Sequence, residues 1–162
     1  MFHTFIERFV QWCYYSKDYA FVRDSKYAIP LLQSLHLTGL TLLLGTTVLL
    51  NIRLLGLGFR KLPLPLLTEQ LWPWSKAGLI LSICTGILVF LPDPTRYAES
   101  GPFRLKMLLL CLALLYQFTI FRKAVRRDPQ SRPPIRNAAV AAISLLLWFG
   151  VGWSGRAIAF FQ

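Results

Sequence analysis

The chain has 162 residues, of which 55% are hydrophobic and only 15% are charged, and its 18 Lys and Arg outnumber its 7 Asp and Glu to leave a net charge of +11. A soluble domain carries about 25% charged residues. Almost all the charges of this chain lie between long apolar runs, which excludes a soluble enzyme and a nucleic-acid-binding module and indicates a multi-pass membrane protein.

The segment before the first apolar run is amphipathic. Phe2, Phe5, Ile6 and Phe9 recur at helical spacing, with polar residues on the other side. This pattern is typical of a helix that lies in the membrane interface. Residues 1–28 are therefore predicted to form an N-terminal interfacial segment built around an amphipathic helix.

Four long apolar runs follow, and they predict helices at about residues 29–50, 74–91, 103–121 and 138–158. Each run has about 18–22 residues, enough to cross a hydrocarbon core of about 30 Å at 1.5 Å per residue. In lipid such runs must be helical, because every backbone amide needs an internal partner. The predicted fold is an all-α membrane protein, in which residues 29–162 form a bundle of four transmembrane helices.

Small residues predict which helix faces pack together. The first helix carries a stripe of Ser34, Thr38, Thr41 and Gly45, and the second carries Ser75, Ser82 and Gly86. Such stripes allow close approach of backbones in lipid.

Basic residues in the short loops predict the orientation. The side of the third-to-fourth loop carries ten Lys and Arg and the other side eight, with six of the ten clustered after the third helix. The positive-inside rule therefore places both termini outside.

His36 is the titratable residue inside the first apolar run. It lies about seven residues, roughly 10 Å, below the outer end of that helix. An ionisable group at that depth is costly, so it is expected to face the bundle or a cavity, with Gly39 leaving space beside its ring. A neutral imidazole with such space suits a haem iron or copper. The alternative is a histidine that only hydrogen-bonds a neighbouring helix.

Several cations are predicted near the depth of His36. Arg104 and Lys106 open the third helix, Arg156 lies near the end of the fourth, and Arg96 lies in the adjoining loop. An imidazole below several cations resembles a haem pocket, in which Arg or Lys pairs with the propionates. The alternative is that these side chains extend to lipid headgroups.

A copper site is a second possibility. Met107 and Cys111 are four residues apart, hence on one face of the third helix near the level of His36. Thioether, thiol and imidazole ligands together suit Cu(I). The alternative metal set is therefore His36, Met107 and Cys111, unless the two sulfur residues only fill space.

Longer stretches resemble an uncharacterised family of small bacterial inner-membrane proteins. The resemblance lies in Arg23-Asp24-Ser25 and in the segments LHLTGLTLLLGTTVLLNIRLLGL, PWSKAGLILSICTGILVF, RYAESGPFRLKMLLL and WSGRAIAF. That family is similar to copper resistance protein D, and a first-helix His followed by Gly with a later-helix Lys is also similar to the HemJ-type membrane haem proteins. This resemblance implies a bacterial inner membrane, with His36 as axial ligand and Lys106 as a second site residue. In such a membrane, the termini that the basic residues place outside are periplasmic. The chain departs from the family pattern at Asn51, where an acidic residue is usual, and at Phe121, where a His is expected.

The leading interpretation is an integral inner-membrane protein that binds haem b and transfers electrons, or performs an oxidation, near the outer leaflet. One alternative is a copper transport or resistance protein, and another is a non-catalytic membrane subunit of a larger complex. The expected partners are the lipid bilayer and either other membrane subunits or further copies of this chain. Whether the protein is an enzyme stays open.

Overall fold

The computed structural model describes residues 26–58, 62–91, 97, 100–126 and 134–158. These ranges contain four long helices and no strand, namely α1 (Ala28–Leu54), α2 (Leu64–Phe90), α3 (Gly101–Val125) and α4 (Pro134–Ile158). Each is long and apolar enough to cross a membrane. The prediction of an all-α protein with four transmembrane helices is therefore confirmed. Residues 1–25 of the predicted interfacial segment, residues 1–28, lie outside the described residues.

The helices extend beyond their predicted apolar runs, most of all α2. This helix begins at Leu64 rather than at residue 74, and it continues through the exposed Pro73. Leu64, Leu67 and Thr68 are buried against the other helices, so this first part of α2 has a packing face despite its polar residues. The length of an apolar run predicts only the part of a helix that lies in lipid. The helix itself continues for as long as one of its faces packs against the other helices.

The bundle is packed tightly at one end, which we call the Val125 end. The C-termini of α1 and α3 meet the N-termini of α2 and α4 there, around Phe121 and Val125, which are fully buried. All four helices contribute to the core at this end, which comprises Leu50, Leu54, Leu64, Leu67, Phe121, Ala124, Val125, Val140 and Ala141. A smaller core of Leu43, Ala113, Trp148 and Val151 continues it toward the middle of the bundle.

Hydrogen bonds between helices reinforce the Val125 end. Asn51 Nδ2 on α1 donates to Ser144 Oγ on α4 at 3.2 Å, and Tyr116 Oη on α3 donates to the Val140 carbonyl at 3.0 Å. Asn51 is fully buried. Polar side chains that find partners on a neighbouring helix are stabilising in lipid, where apolar burial gives little net drive.

The helices α1 and α2 approach most closely at two glycines. A Cβ atom on Gly39 would lie 2.7 Å from Ser82 Oγ and 2.9 Å from the Ser82 nitrogen, and a Cβ on Gly78 would lie 2.7 Å from the Gly39 carbonyl oxygen. No real side chain fits at such distances. The two backbones are in contact here because neither residue has a Cβ.

The packing predicted for the two stripes of small residues is found for the α2 stripe but not for the α1 stripe. Ser75 and Ser82 of the α2 stripe are buried, as predicted. The α1 stripe is exposed, and its three hydroxyl groups, on Ser34, Thr38 and Thr41, donate to carbonyls of their own helix. The packing prediction for this stripe was wrong, because a hydroxyl group satisfied within its own helix does not need to face a neighbour.

The contact between the glycines predicts that an added methyl group destabilises the protein at Gly39 but not at Gly45. Gly39→Ala should destabilise the protein by about 1–3 kcal/mol, because the new Cβ overlaps backbone atoms of α2 that cannot move independently. Gly45→Ala is the matched control, since a Cβ there would have no neighbour within 4 Å. Thermal unfolding in detergent should show a lower midpoint for Gly39→Ala and an unchanged or higher midpoint for Gly45→Ala. Equal midpoints for the two variants would contradict the proposed helix contact.

Candidate functional site

The opposite end of the bundle, which we call the His36 end, encloses a cavity. It comprises the N-termini of α1 and α3 and the C-termini of α2 and α4. The cavity has a volume of about 450 Å³, within the range of pockets that bind small molecules and cofactors. Its lining includes Gln33, His36, Leu37, Leu40, Leu44, Gly86, Val89, Phe90, Tyr97, Phe103, Lys106, Trp148, Val151, Gly152, Gly155, Arg156 and Ile158.

His36 is held in a defined orientation by α2. Its Nδ1 atom lies 3.1 Å from Thr85 Oγ1, and that hydroxyl lies 2.6 Å from the carbonyl oxygen of Leu81. A threonine hydroxyl has a single proton, and the short bond to Leu81 uses it. Nδ1 must then be the donor to Thr85, so we infer that the neutral ring carries its proton on Nδ1. The lone pair of the ring is then on Nε2, and His36 lines the cavity.

Two glycines border the basic side chains of the cavity. A Cβ on Gly86 would lie 3.3 Å from His36 Cε1, so the ring packs directly against the α2 backbone. A Cβ on Gly155 would lie 3.6 Å from Lys106 Nζ, so the lysine packs in the same way against α4. Gly39 does not provide the space beside His36, contrary to the prediction, because it is buried at the contact with Gly78. Gly86 provides that space instead.

Of the four predicted cationic residues, two line the cavity. Lys106 is half-buried and lines the cavity, and the exposed Arg156 lines it from the end of α4. Arg104 is exposed and is not part of the cavity lining. Arg96 lies outside the described residues. The described lining contains the two cations Lys106 and Arg156 and no carboxylate.

Three aromatic rings line the cavity where α2 ends and α3 begins. The Phe90 and Phe103 rings are stacked with their centroids 5.5 Å apart, and Tyr97 lies 6.0 Å from Phe90 and 5.7 Å from Phe103. Such a cluster provides a large apolar surface that a flat ring system can contact. Sequence reasoning did not find this cluster, because its members belong to two helices and the loop between them.

The inner wall of the cavity is formed by Trp148, which connects it with the middle of the bundle. The Trp148 indole Nε1 donates to Gln117 Oε1 at 3.5 Å, and both residues are buried. Gln117 begins a π-helical turn, Gln117–Phe121, in α3. Such turns are rare and are often found at functional sites. Both Gln117 and Phe121 are buried in the interior.

The structure does not bring together the residues of the predicted copper set. Met107 is 43% exposed and Cys111 is exposed on α3, and neither lines the cavity that contains His36. Lys106 faces the cavity, and the next residue on a helix is rotated by about 100° away from it. Among the residues that the structure describes, no three His, Cys, Asp or Glu side chains form a group that could hold a metal ion.

Comparison with known proteins gives one match. The model of a family of unknown function, DUF6644, matches residues 8–161. No curated protein and no solved structure matches the chain, so its similarity to copper resistance protein D and to HemJ-type proteins stays a prediction. The family match covers nearly the whole sequence and includes all four helices. The chain therefore belongs to the DUF6644 family.

Proposed function

We propose that this protein binds haem b in the cavity at the His36 end and transfers electrons there. The observation that carries the proposal is the single hydrogen-bonded imidazole, with its lone pair on Nε2, in the lining of a cavity that also contains Lys106 and Arg156. A neutral imidazole nitrogen is the usual axial ligand of haem iron. Thr85 fixes the ring, as a hydrogen-bonding partner commonly does for a metal-binding histidine.

The other lining residues fit the remaining parts of a haem. Lys106 and Arg156 provide positive charge for the two propionates, through charge-assisted hydrogen bonds. Phe90, Tyr97 and Phe103 provide an apolar surface for the porphyrin edge, and Gly152 has open space beside its backbone. Bound haem would supply a one-electron redox centre. The protein residues hold it, neutralise its charge and limit the access of water.

The proposal places this site in the periplasmic half of a bacterial inner membrane. Support comes from the basic residues Arg122, Lys123 and Arg126 at the Val125 end, which the positive-inside rule assigns to the cytoplasm. The His36 end and both chain termini would then be periplasmic. An oxidation reaction at the same haem is an alternative to simple electron transfer.

His36→Ala should abolish the Soret absorption of protein produced with ample haem, because it removes the proposed iron ligand. Membrane insertion should persist, since it depends on apolar length. Leu35→Ala is the matched control, because Leu35 is exposed on the same helix and does not line the cavity. Absorption spectra of the purified proteins test this. A Soret band that persists in His36→Ala would contradict the site. Bound copper without a Soret band in the wild type would favour the copper function. A wild type that binds neither cofactor would favour the non-catalytic subunit.

Lys106→Gln should weaken haem retention, whereas Arg104→Gln should leave it unchanged. Only Lys106 lines the cavity, although both cations lie in the first turns of α3. Loss of one charge-assisted bond costs about 1.5–3 kcal/mol, which corresponds to roughly a tenfold to hundredfold faster transfer of haem to a scavenging apoprotein. Transfer rates measured by absorption provide the test. Equal rates for the two variants would exclude a specific contact from Lys106.

Reporter fusions test the proposed orientation. Fusions after Arg60 and Gln130 should report the cytoplasm, and fusions after Ala98 and Gln162 should report the periplasm. Paired reporters, one active on each side of the membrane, serve as internal controls. A periplasmic signal after Gln130 would reverse the orientation and place the cavity in the cytoplasmic half.

A further inference from the structure

A second feature of the bundle lies outside the His36 cavity, where α2 and α3 meet at the lipid-facing surface. Near the Val125 end Thr68 Oγ1 lies 2.8 Å from the Leu64 carbonyl of its own helix and 3.3 Å from the Val125 carbonyl of α3, and Trp72 and Phe118 form a T-shaped contact at 5.8 Å. Beyond this contact a narrow crevice opens between the helices. Trp72, Lys76 and Phe118 line its outer part, and Leu43 of α1 and Trp148 of α4 are among the buried residues at its inner end, around a volume of only about 10 Å³.

Two cations converge on the mouth of this crevice. The Arg122 guanidinium carbon lies 4.9 Å from the centroid of the Trp72 ring, and Lys76 is exposed one helical turn further along α2. Side chains on a helix lean toward its N-terminus. Because α2 and α3 are antiparallel, Lys76 leans toward the Val125 end and Arg122 leans toward the His36 end. Both side chains therefore lean toward Trp72.

No acidic side chain described in the structure balances these two charges. Glu69 is the sole carboxylate within the described ranges, and it forms no ion pair with Lys76 or Arg122. Arg122 Nε is buried and has no hydrogen-bond partner in the described part of the chain. A guanidinium held against a membrane helix with an unsatisfied donor is costly. The pair of cations therefore has the charge that suits an anion.

The surroundings indicate which anion. The exposed flank beside the crevice is apolar, with Phe118 42% and Leu115 64% exposed. A free phosphate ion would leave this apolar surface uncovered, whereas a phospholipid would cover it with its acyl chain. Basic sites between transmembrane helices are known to bind the headgroups of anionic lipids.

We propose that the crevice between α2 and α3 binds an anionic phospholipid, with its phosphate between Lys76 and Arg122 and its first acyl methylenes against Trp72 and Phe118. The site lies at the Val125 end, remote from the His36 cavity, and does not depend on haem binding. It links α2 to α3 along a seam where the protein itself makes few direct contacts.

The test measures lipid binding by native mass spectrometry of the purified full-length protein after removal of lipid. Phosphatidylglycerol and phosphatidylcholine are titrated separately, and glycerol phosphate represents the soluble anion. The wild type should bind phosphatidylglycerol in preference to phosphatidylcholine, and glycerol phosphate should not compete. Lys76→Gln and Arg122→Gln should each weaken phosphatidylglycerol binding by about tenfold or more, because each removes a charge-assisted contact.

Lys123→Gln is the matched control, since Lys123 is an exposed cation next to Arg122 that is rotated by about 100° from it around α3. It should bind phosphatidylglycerol like the wild type. If Arg122→Gln fails to fold, Lys76→Gln decides the question, because Lys76 is exposed and its loss leaves no buried gap. Three results would overturn the proposal: equal binding of the two lipids, effective competition by glycerol phosphate, or an equal loss of binding in Lys123→Gln and Lys76→Gln.

Discussion

The backbone contact between α1 and α2 at Gly39 and Gly78 determines the geometry of the His36 cavity. It fixes the position of α2 along α1, and so places Thr85 and Gly86, two turns from Gly78, opposite His36, one turn from Gly39. Thr85 then selects the ring tautomer, and Gly86 leaves space for the ring. A bulkier residue at the contact would separate the helices, lengthen the hydrogen bond to His36 and remove the constraint on its Nε2 atom.

The two ends of the bundle differ because lipid gives little net drive for apolar side chains to pack together. At the Val125 end, a four-helix core and the polar links through Asn51 and Tyr116 hold the helices together. At the His36 end, α1 stays close to α2 and α3 stays close to α4, while the space between the two pairs is left open. The packed end acts as the scaffold and the open end as the site. The proposed lipid occupies the one seam, between α2 and α3, that the scaffold closes only in part.

Apolar length was sufficient to predict the four helices, because lipid permits no other backbone structure for such runs. It did not predict that α2 begins at Leu64, since the early turns of that helix depend on burial against the bundle. The predicted site residues His36, Lys106 and Arg156 were identifiable because an ionisable group near an apolar run has few ordinary structural roles. In the structure, all three side chains line the same cavity.

The remaining members of the site could not be predicted from the sequence for a physical reason. Apolar residues surround each helix almost evenly, so the sequence does not show which face of α3 turns inward. The structure turns Lys106 inward, and Met107 and Cys111 are exposed as a result. Thr85 and Gly86 are residue types common in any membrane helix. Their role depends on the relative position of α1 and α2, which two glycine contacts set.

The state of the His36 ring is the central claim, and nitrogen NMR of protein labelled with ¹⁵N at its two histidines measures it directly. A His3→Ala variant assigns the signals. We predict that His36 is neutral with its proton on Nδ1, and that added haem shifts or broadens the Nε2 signal. A proton on Nε2, or an Nε2 signal unchanged by haem, would contradict the account.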